Sequence, residues 1–189
     1  VAAAGNENTS NKTFPAACNG VISVSAVGGD KTRAPYSNFA ASSTDNWIDI
    51  AAPGGNGQQD LNADSYPDAI WSTWSENNQY TLLQGTSMAS PHVAAVLAMM
   101  RGVDKSLTPA NIDALLSAGD LSQDIGASGR DTLFGYGLMD AERAINKAAK
   151  VIIPASINLS TQSMNFGVNN SAQSLTVANS GTGTLKISS

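Results

Sequence analysis

Two short apolar runs near the start of the chain, Val1–Ala4 and Val21–Val27, are bounded by turn-forming residues. Short runs in which apolar residues predominate, with no regular alternation of apolar and polar positions, are typical of strands buried on both faces of a parallel sheet. Ile48-Asp49-Ile50 predicts a third strand. The stretch from Gly54 to Asn78 is rich in Gly, Asn, Asp and Ser and predicts a long functional loop.

Apolar residues at helical spacing then predict three helices. The first begins close to Ser87, because Pro91 is tolerated only near the start of a helix. The second begins after Thr108 and Pro109, since threonine is a good N-cap and proline a good first residue. The third covers residues 139–149. The residues that mark the first helix are Met88, Val93, Val96, Leu97 and Met100.

The composition changes after Lys150. Short pieces of alternating polarity follow in a background of Ser, Asn, Thr and Gly, such as Leu175-Thr176-Val177. The sequence therefore predicts an α/β domain over residues 1–150, with a doubly wound and mostly parallel sheet, followed by a β-rich module over residues 151–189. The second segment is too short for a complete β-sandwich, which needs about seven strands.

Charge and hydropathy exclude two classes of partner. The net charge is −5, and the ten Lys and Arg residues are scattered, whereas nucleic-acid binding needs clustered cations. The longest apolar stretch, Val93–Met100, is far shorter than the roughly 20 residues that cross a bilayer. We therefore expect neither nucleic-acid binding nor membrane insertion. Val1 opens without the charged and apolar regions of a signal peptide, so the chain is expected to begin inside a longer protein.

The segment Gly85-Thr86-Ser87-Met88-Ala89 holds a serine between small residues at the predicted helix start. Backbone N–H groups and the positive end of the helix dipole face such a serine, and they stabilise an oxyanion. The simpler interpretation is that Thr86 or Ser87 only caps the helix.

A serine nucleophile needs a general base, and His92 is the single histidine. Five residues along a helix correspond to a rotation of about 140°, so His92 is predicted to face away from Ser87 and to be structural. The base is then expected from another segment. A nucleophile elbow of the α/β-hydrolase type is excluded, because it needs a histidine late in the chain, after the catalytic acid, and no histidine follows His92.

The ten residues from Gly85 to Ala94, Gly-Thr-Ser-Met-Ala-Ser-Pro-His-Val-Ala, resemble the nucleophile motif of the subtilisin-like serine proteases. The resemblance extends in the family's order from residue 1 to about residue 149. It includes four further segments: Val1–Glu7, Ser37–Phe39, Ile48–Gly54 and Gly135–Ala141.

The resemblance implies roles for Ser87 and for residues of the segment Val1–Glu7. Ser87 would attack the scissile carbonyl, while the Asn6 side chain and the Ser87 backbone N–H would hold the oxyanion. Small residues would line the primary specificity pocket and leave room for a large apolar substrate side chain, with an acidic residue at the rim. These residues are Ala3, Ala4, Gly5 and Glu7.

The family's Asp and His motifs precede the segment that here starts at Val1. The resemblance therefore implies that an upstream part of the protease supplies both residues, and that this chain alone is inactive. We also expect a long unpaired edge at the first strand and dimerisation through it in the isolated chain.

Cys18 is the only cysteine. It is either a free thiol or a bridge to a partner outside this chain. Phe14–Asn19 resembles a segment of bacterial extracellular subtilases in which this cysteine bridges to one upstream, which implies a secreted protein.

Asp60-Leu61-Asn62-Ala63-Asp64-Ser65-Tyr66-Pro67-Asp68 has oxygen donors at alternate positions, with Tyr66 available through its carbonyl. This spacing predicts a structural calcium loop of the EF-hand type. Ser65 stands where Gly is usual and Trp71 where the bidentate Glu would be. The alternative is an acidic, solvated turn. The five predicted ligands are Asp60, Asn62, Asp64, Tyr66 and Asp68.

The tail segments Met164–Val168 and Leu175–Gly181 are similar to immunoglobulin-like repeats of the abnormal-spindle and hydin type. The leading hypothesis is an endopeptidase with a polypeptide substrate. The alternatives are a catalytically dead scaffold of the same fold and a binding module carried by the tail.

Overall fold

A computed structural model describes residues 1–75, 79–149, 157–159 and 176–179. The chain divides into two compact units, Val1–Ala148 and Ala149–Ser189. The strands are β1 (Ala2–Ala3), β2 (Ser23–Val27), β3 (Ile50–Pro53), β4 (Ile70–Trp74), β5 (Gln79–Leu83), β6 (Ser122–Gln123), β7 (Leu138–Met139), β8 (Ile157–Leu159) and β9 (Val177–Asn179). The helices are α1 (Thr86–Val103), α2 (Pro109–Ser117) and α3 (Ala141–Ala148).

The main sheet of the first unit has the order β1-β2-β3-β7-β6. Its first four strands are parallel, and β6 is antiparallel to β7. This arrangement confirms the predicted α/β class with a mostly parallel sheet and flanking helices. The edge strand β1 has only two residues, so the prediction of a long unpaired edge there is wrong. The chain leaves the sheet after Ala3 because the following residues turn toward the start of α1.

The first unit has three clusters of buried hydrophobic residues, and one of them lies between the sheet and one face of α1. Strand β2 is buried along its whole length, which agrees with its uninterrupted run of small and apolar residues. The helix contributes Ala89, Val93, Val96 and Met100 to this core. These spacings of three and four residues keep one face of α1 on the sheet.

The opposite face of α1 is exposed although it is also apolar. Met99 is 46% exposed and Val103 is 51% exposed, and Ala95 and Ala98 on this face are exposed as well. A helix that is apolar all round is normally buried on all sides. Within the described residues, no element packs over this face.

Local signals explain how the helices begin. Asn111 N donates to Thr108 Oγ1 at 3.2 Å, and Thr108 N donates to Asn111 Oδ1 at 2.9 Å, which forms a capping box at the start of α2. The predicted N-cap and first-turn proline are therefore confirmed. Helix α1 begins at Thr86, so the predicted start close to Ser87 is also confirmed.

The hairpin of β4 and β5 corrects the prediction of one long loop over residues 54–78. Five residue pairs join the two antiparallel strands, from Ile70 with Leu83 to Trp74 with Gln79. The hairpin carries exposed aromatic side chains, with Trp71 at 58% and Tyr80 at 69%.

Among the described helices none is long and apolar enough to span a membrane.

The second unit is described only at β8 and β9, which pair antiparallel. The predicted immunoglobulin-like segment at residues 164–168 lies outside the described residues, and so do residues 175, 180 and 181 of the segment predicted at residues 175–181.

Candidate active site

The side chain of Asn6 is joined to the first residue of α1. Asn6 Oδ1 accepts one hydrogen bond from Thr86 N at 2.8 Å and another from Thr86 Oγ1 at 2.9 Å. Both bonds use the oxygen of the amide, and among the described residues no acceptor is bonded to Nδ2. The Asn6 amide is therefore oriented with its donor end available.

Gly85 lies beside the amide of Asn6 and the backbone N–H of Ser87. The position that a Cβ would take on Gly85 lies 3.5 Å from Asn6 Nδ2, 3.6 Å from Asn6 Oδ1 and 3.6 Å from Ser87 N. Ser87 N belongs to the first turn of α1, where amides lack a carbonyl partner within the helix. Gly85 has a φ of +148°, which side-chain-bearing residues rarely adopt. The absence of a side chain here keeps the space between the two donors open.

Ser87 is exposed and lies on the wall of a cavity of about 330 Å³. His92 borders the same cavity about 140° around the helix from Ser87, so its orientation on a different face of α1 stays a prediction. The cavity floor spans the 140° that separates the two residues, since Met88, Pro91 and Ala95 lie between them on the helix surface. His92 Nδ1 is within 2.7 Å of the Met88 carbonyl oxygen, so one ring nitrogen is engaged with the backbone of its own helix.

The segment that carries Asn6 is held by its neighbours. Ala4 is completely buried, and its N–H donates to Val24 O at 2.9 Å. Gly5 N donates to Thr86 Oγ1 at 3.1 Å. Glu7 Oε2 accepts from Asn6 N at 2.9 Å, and Ala3 is partly buried. The side chain of Ala4 therefore belongs to the core, whereas Ala3, Gly5 and Glu7 keep surface that a substrate can reach.

Asn38 is a completely buried polar residue beside this segment, and sequence reasoning gave it no role. Asn38 Oδ1 accepts from Glu7 N at 3.0 Å and from Thr9 N at 3.2 Å. Asn38 Nδ2 lies 3.0 Å from Ala4 O, 2.8 Å from Glu7 Oε2 and 3.1 Å from Thr13 Oγ1. The sequence signal was its place in Ser37–Phe39, one of the segments that carry the resemblance to subtilisin-like proteases.

Tyr36 bonds to the residues that follow β3 and that contact Gly85. Its hydroxyl lies 2.8 Å from Gly54 O and 2.7 Å from Gly55 O. Gly54 O also accepts from Gly85 N at 3.0 Å, so the end of β3 is tied to the residue before α1. Burial raises the pKa of the Tyr36 hydroxyl to about 12. Tyr36 therefore stays protonated throughout the neutral and moderately alkaline range.

Comparison with known proteins identifies the family in which this arrangement of residues occurs. A model described as the subtilase family matches residues 1–137. This chain belongs to the subtilase family. The matched range includes Asn6, Gly85 and Ser87, and it confirms the resemblance to subtilisin-like serine proteases of the bacterial extracellular type.

Named relatives agree with the family match. Halolysin of Haloferax mediterranei is 35% identical over 145 residues, which are 77% of this chain and 24% of halolysin. The extracellular basic protease of Dichelobacter nodosus is 34% identical over 152 residues, 77% of this chain and 23% of that protein. A solved protease structure from Pseudoalteromonas arctica is 36% identical, with a TM-score of 0.62 over 77% of this chain and 41% of that chain. The subtilase chain thus spans about a quarter of the two curated relatives.

In the predicted calcium loop of this subtilase, the carboxylates accept hydrogen bonds from other residues of the same loop. Asp60 accepts from Asp64 N at 3.1 Å and from Ser65 N at 3.0 Å, and Asp68 Oδ2 accepts from Leu61 N at 2.8 Å. Tyr66 N donates to Asp64 Oδ1, and Asn62 Nδ2 donates to Asp64 Oδ2. Across the described part of the chain, no three or more His, Cys, Asp and Glu side chains are gathered in a metal-binding arrangement. Calcium therefore stays a prediction.

Away from the nucleophile, Asp49 is a largely buried carboxylate between β2 and the segment after β6. Its Oδ2 accepts from Ser23 N at 2.9 Å, and its Oδ1 pairs with Arg130 at 2.9 Å. Burial raises the pKa of Asp49, and the bond from Ser23 N and the charge of Arg130 oppose that rise. The charge of the Asp49 carboxylate is therefore costly to keep in the folded subtilase.

Proposed function

We propose that this chain forms the nucleophile half of an extracellular serine endopeptidase. The observation that carries the proposal is that Asn6 Nδ2 and Ser87 N both lie beside the open side of Gly85, with the Asn6 amide oxygen held by Thr86. Two N–H donors close together beside an exposed serine are the elements of the oxyanion site that acyl transfer requires.

The proposed reaction has two halves. Ser87 Oγ attacks the carbonyl carbon of the scissile peptide, and its proton passes to a general base. The carbonyl oxygen gains the negative charge, which Asn6 Nδ2 and Ser87 N–H stabilise. The C–N bond then breaks, and the base returns the proton to the departing amine. Water adds to the acyl-enzyme, releases the carboxylic acid and restores the Ser87 hydroxyl.

A fluorophosphonate probe tests the nucleophile. In the complete protease we expect the probe to attach to the tryptic peptide that contains Ser87, and Ser87→Ala to abolish both attachment and turnover. Ser90→Ala, on the same helix, is the matched control and should retain both. A complete, folded protease that neither reacts with the probe nor cleaves casein would instead be a catalytically dead scaffold.

We propose that the general base lies on a segment upstream of this chain, together with the Asp that orients it. Two observations support this. His92 is the only histidine, and its Nδ1 is engaged with the Met88 carbonyl. The cavity beside Ser87 and the exposed apolar face of α1 offer a surface for a covering segment, with Pro91 and Ala95 lining both.

The isolated chain is accordingly expected to be inactive. Residues 1–189 alone should show no casein cleavage above the Ser87→Ala background, whereas the complete protease should cleave it. Co-expression with the upstream segment as a separate polypeptide should restore cleavage. Full activity of residues 1–189 alone would refute the upstream base.

The segment from Ala3 to Glu7 is proposed as one wall of the primary specificity pocket. The support is its position next to Asn6 and the small size of Ala3 and Gly5, which leaves room for a large apolar side chain. Ala4 would contribute its place in the backbone, since its side chain is buried. A peptide library should show cleavage after large apolar residues; equal cleavage after small and charged residues would contradict this pocket.

Calcium binding at Asp60, Asn62, Asp64, Tyr66 and Asp68 is proposed as a stabilising addition. The donors are all oxygens, and Ser65 has a φ of +71°, the conformation for which glycine is preferred at the sharp turn of such a loop. Titration calorimetry and a thermal shift in calcium should both respond, and Asp60→Asn should abolish both responses. Equal responses in the variant, or none in the parent, would eliminate the site.

Secretion is proposed from the relatives, some of which are named as extracellular proteases. Exposed Cys18 agrees with a bridge to an upstream cysteine, and an intact mass of the secreted protein before and after reduction tests it.

Dimerisation of the isolated chain through β1 would be favoured by the exposed edge, although only Ala2 and Ala3 form that strand. Size-exclusion chromatography of residues 1–189 measures it.

A further inference from the structure

We propose that Asn38 is a positioning residue for the oxyanion site, acting through Asn6; the inference rests on the proposed serine-protease function. Asn38 is completely buried, yet its whole amide is bonded to the segment that carries Asn6. A buried polar side chain that is fully paired fixes the geometry of the groups around it.

Asn38 holds the residues on both sides of Asn6. Its backbone N–H donates to Gly5 O at 3.0 Å, immediately before Asn6. Its Oδ1 accepts from Glu7 N at 3.0 Å, immediately after Asn6. The backbone that carries the Asn6 side chain is therefore fixed at two consecutive peptide groups.

A third bond reaches Asn6 through Glu7. Asn38 Nδ2 donates to Glu7 Oε2 at 2.8 Å, and the same oxygen accepts from Asn6 N at 2.9 Å. Asn38 thus sets the position of the carboxylate that holds the Asn6 backbone. Charge-assisted bonds of this kind are stronger than bonds between neutral groups.

The close approach at Gly5 makes this arrangement tight. A Cβ on Gly5 would lie 2.3 Å from Asn38 Nδ2 and 2.7 Å from Glu7 Oε2. Gly5 also has a φ of +108°. Only glycine leaves the space that the Asn38 amide fills, so the turn before Asn6 and the Asn38 side chain fit each other.

Asn38 is itself anchored to the sheet. Its neighbour Ser37 is completely buried, and Ser37 Oγ accepts from Ala26 N in β2 at 2.9 Å. A connected path therefore runs from β2 through Ser37 and Asn38 to the backbone of Asn6, while Thr86 holds the Asn6 side chain from the opposite side. Misplacement of a catalytic group by about 1 Å can lower a rate by two orders of magnitude.

A double-mutant cycle in the complete protease tests this role. We expect Asn38→Ser to lower kcat about tenfold to a hundredfold while KM for a peptide substrate changes less than about threefold, because oxyanion contacts strengthen in the transition state. In the Asn6→Ala background the same substitution should lower kcat less than about twofold, since the donor that Asn38 positions is already absent.

The control and the second variant separate this role from general stability. Asn111→Ser removes an asparagine of the α2 capping box and should lower the thermal midpoint without changing kcat. Asn38→Asp has the size of the parent side chain and keeps its two accepted bonds, but it directs an oxygen at Glu7 Oε2. We expect it to lower kcat at least as much as Asn38→Ser, again only when Asn6 is present.

Three results would overturn the inference. They are equal kcat losses with and without Asn6, a rise in KM at constant kcat, and failure of both Asn38 variants to fold. An active parent enzyme with any of these results would leave the proposed protease function intact. An inactive parent whose Ser87 does not react with the fluorophosphonate probe would refute the protease function and the role of Asn38 together.

Discussion

Thr86 holds the amide of Asn6 from two atoms, with its N–H at 2.8 Å and its hydroxyl at 2.9 Å from Asn6 Oδ1. The same hydroxyl accepts from Gly5 N. The residue next to the proposed nucleophile thus orients a donor that lies 80 residues away in the sequence. The oxyanion site and the start of α1 are parts of one hydrogen-bonded unit.

Thr86→Val should lower kcat of the complete protease roughly two- to tenfold, because one of the two bonds to Asn6 Oδ1 is lost and a net hydrogen bond contributes about 0.5–1.5 kcal/mol. Thr86→Ser keeps the hydroxyl and is the matched control. Steady-state kinetics on one peptide substrate measures both variants. An unchanged kcat in Thr86→Val would show that the bond from Thr86 N is sufficient to orient the amide.

Asn6→Asp should distinguish the role of the amide oxygen, which accepts from Thr86, from the role of the amide nitrogen, which is the proposed oxyanion donor. An aspartate still accepts from Thr86, so the thermal midpoint should stay near that of the parent, but it directs an oxygen at the developing oxyanion. We expect kcat to fall at least about 10²–10³-fold, the loss known for the oxyanion-hole asparagine of subtilisin, itself a subtilase. Differential scanning fluorimetry and kinetics on the same samples test this, and a fall in stability without a fall in kcat would contradict it.

Tyr36→Phe should lower the free energy of unfolding by about 1–3 kcal/mol at neutral pH, since the buried carbonyl of Gly55 loses its hydroxyl partner. The parent should lose stability as the pH rises from about 10, the ordinary pKa of tyrosine, to about 12, because the folded protein keeps the hydroxyl proton that the unfolded chain releases. The variant should lack this component. Urea unfolding curves from pH 8 to 11.5 measure the slope, and parallel slopes in both proteins would refute it.

Asp49→Asn should flatten the acid side of the stability profile. Burial raises the pKa of Asp49 above its ordinary value of 3.8, so the folded protein binds more protons than the unfolded chain just above that pH. This residue's contribution to stability therefore falls as the pH rises through that window. Asparagine still accepts from Ser23 N and does not titrate. Thermal midpoints from pH 4 to 6.5 should fall less steeply in the variant than in the parent.

Local chemistry made part of the fold predictable. The Thr108–Pro109 pair marked the start of α2, and Pro91 limited the start of α1 to the residues around Ser87. Each of these signals operates within one helical turn, and it therefore survives in any tertiary context. The nucleophile segment was identified in the same way, from residues that are adjacent in the chain.

Features that depend on distant contacts were missed. The hairpin strand Ile70–Trp74 was hidden in a stretch rich in Gly, Asn, Asp and Ser, and four of its five residues are exposed. The cavity that borders both Ser87 and His92 was also missed, because the width of a cavity cannot be read from helix geometry. The bonds of Asn38 to Glu7 join residues 31 positions apart, and only the folded chain brings them together.

The exposed apolar face of α1 links chemistry to protein quality control. The helix that carries Ser87 at its start also presents Met99 and Val103 to solvent when nothing covers it. A molecule that lacks its proposed covering segment would lack the general base. It would also expose a hydrophobic surface of the kind that chaperones and degradative proteases recognise. Under the proposed arrangement, incompletely assembled enzyme would be both harmless to surrounding proteins and marked for removal.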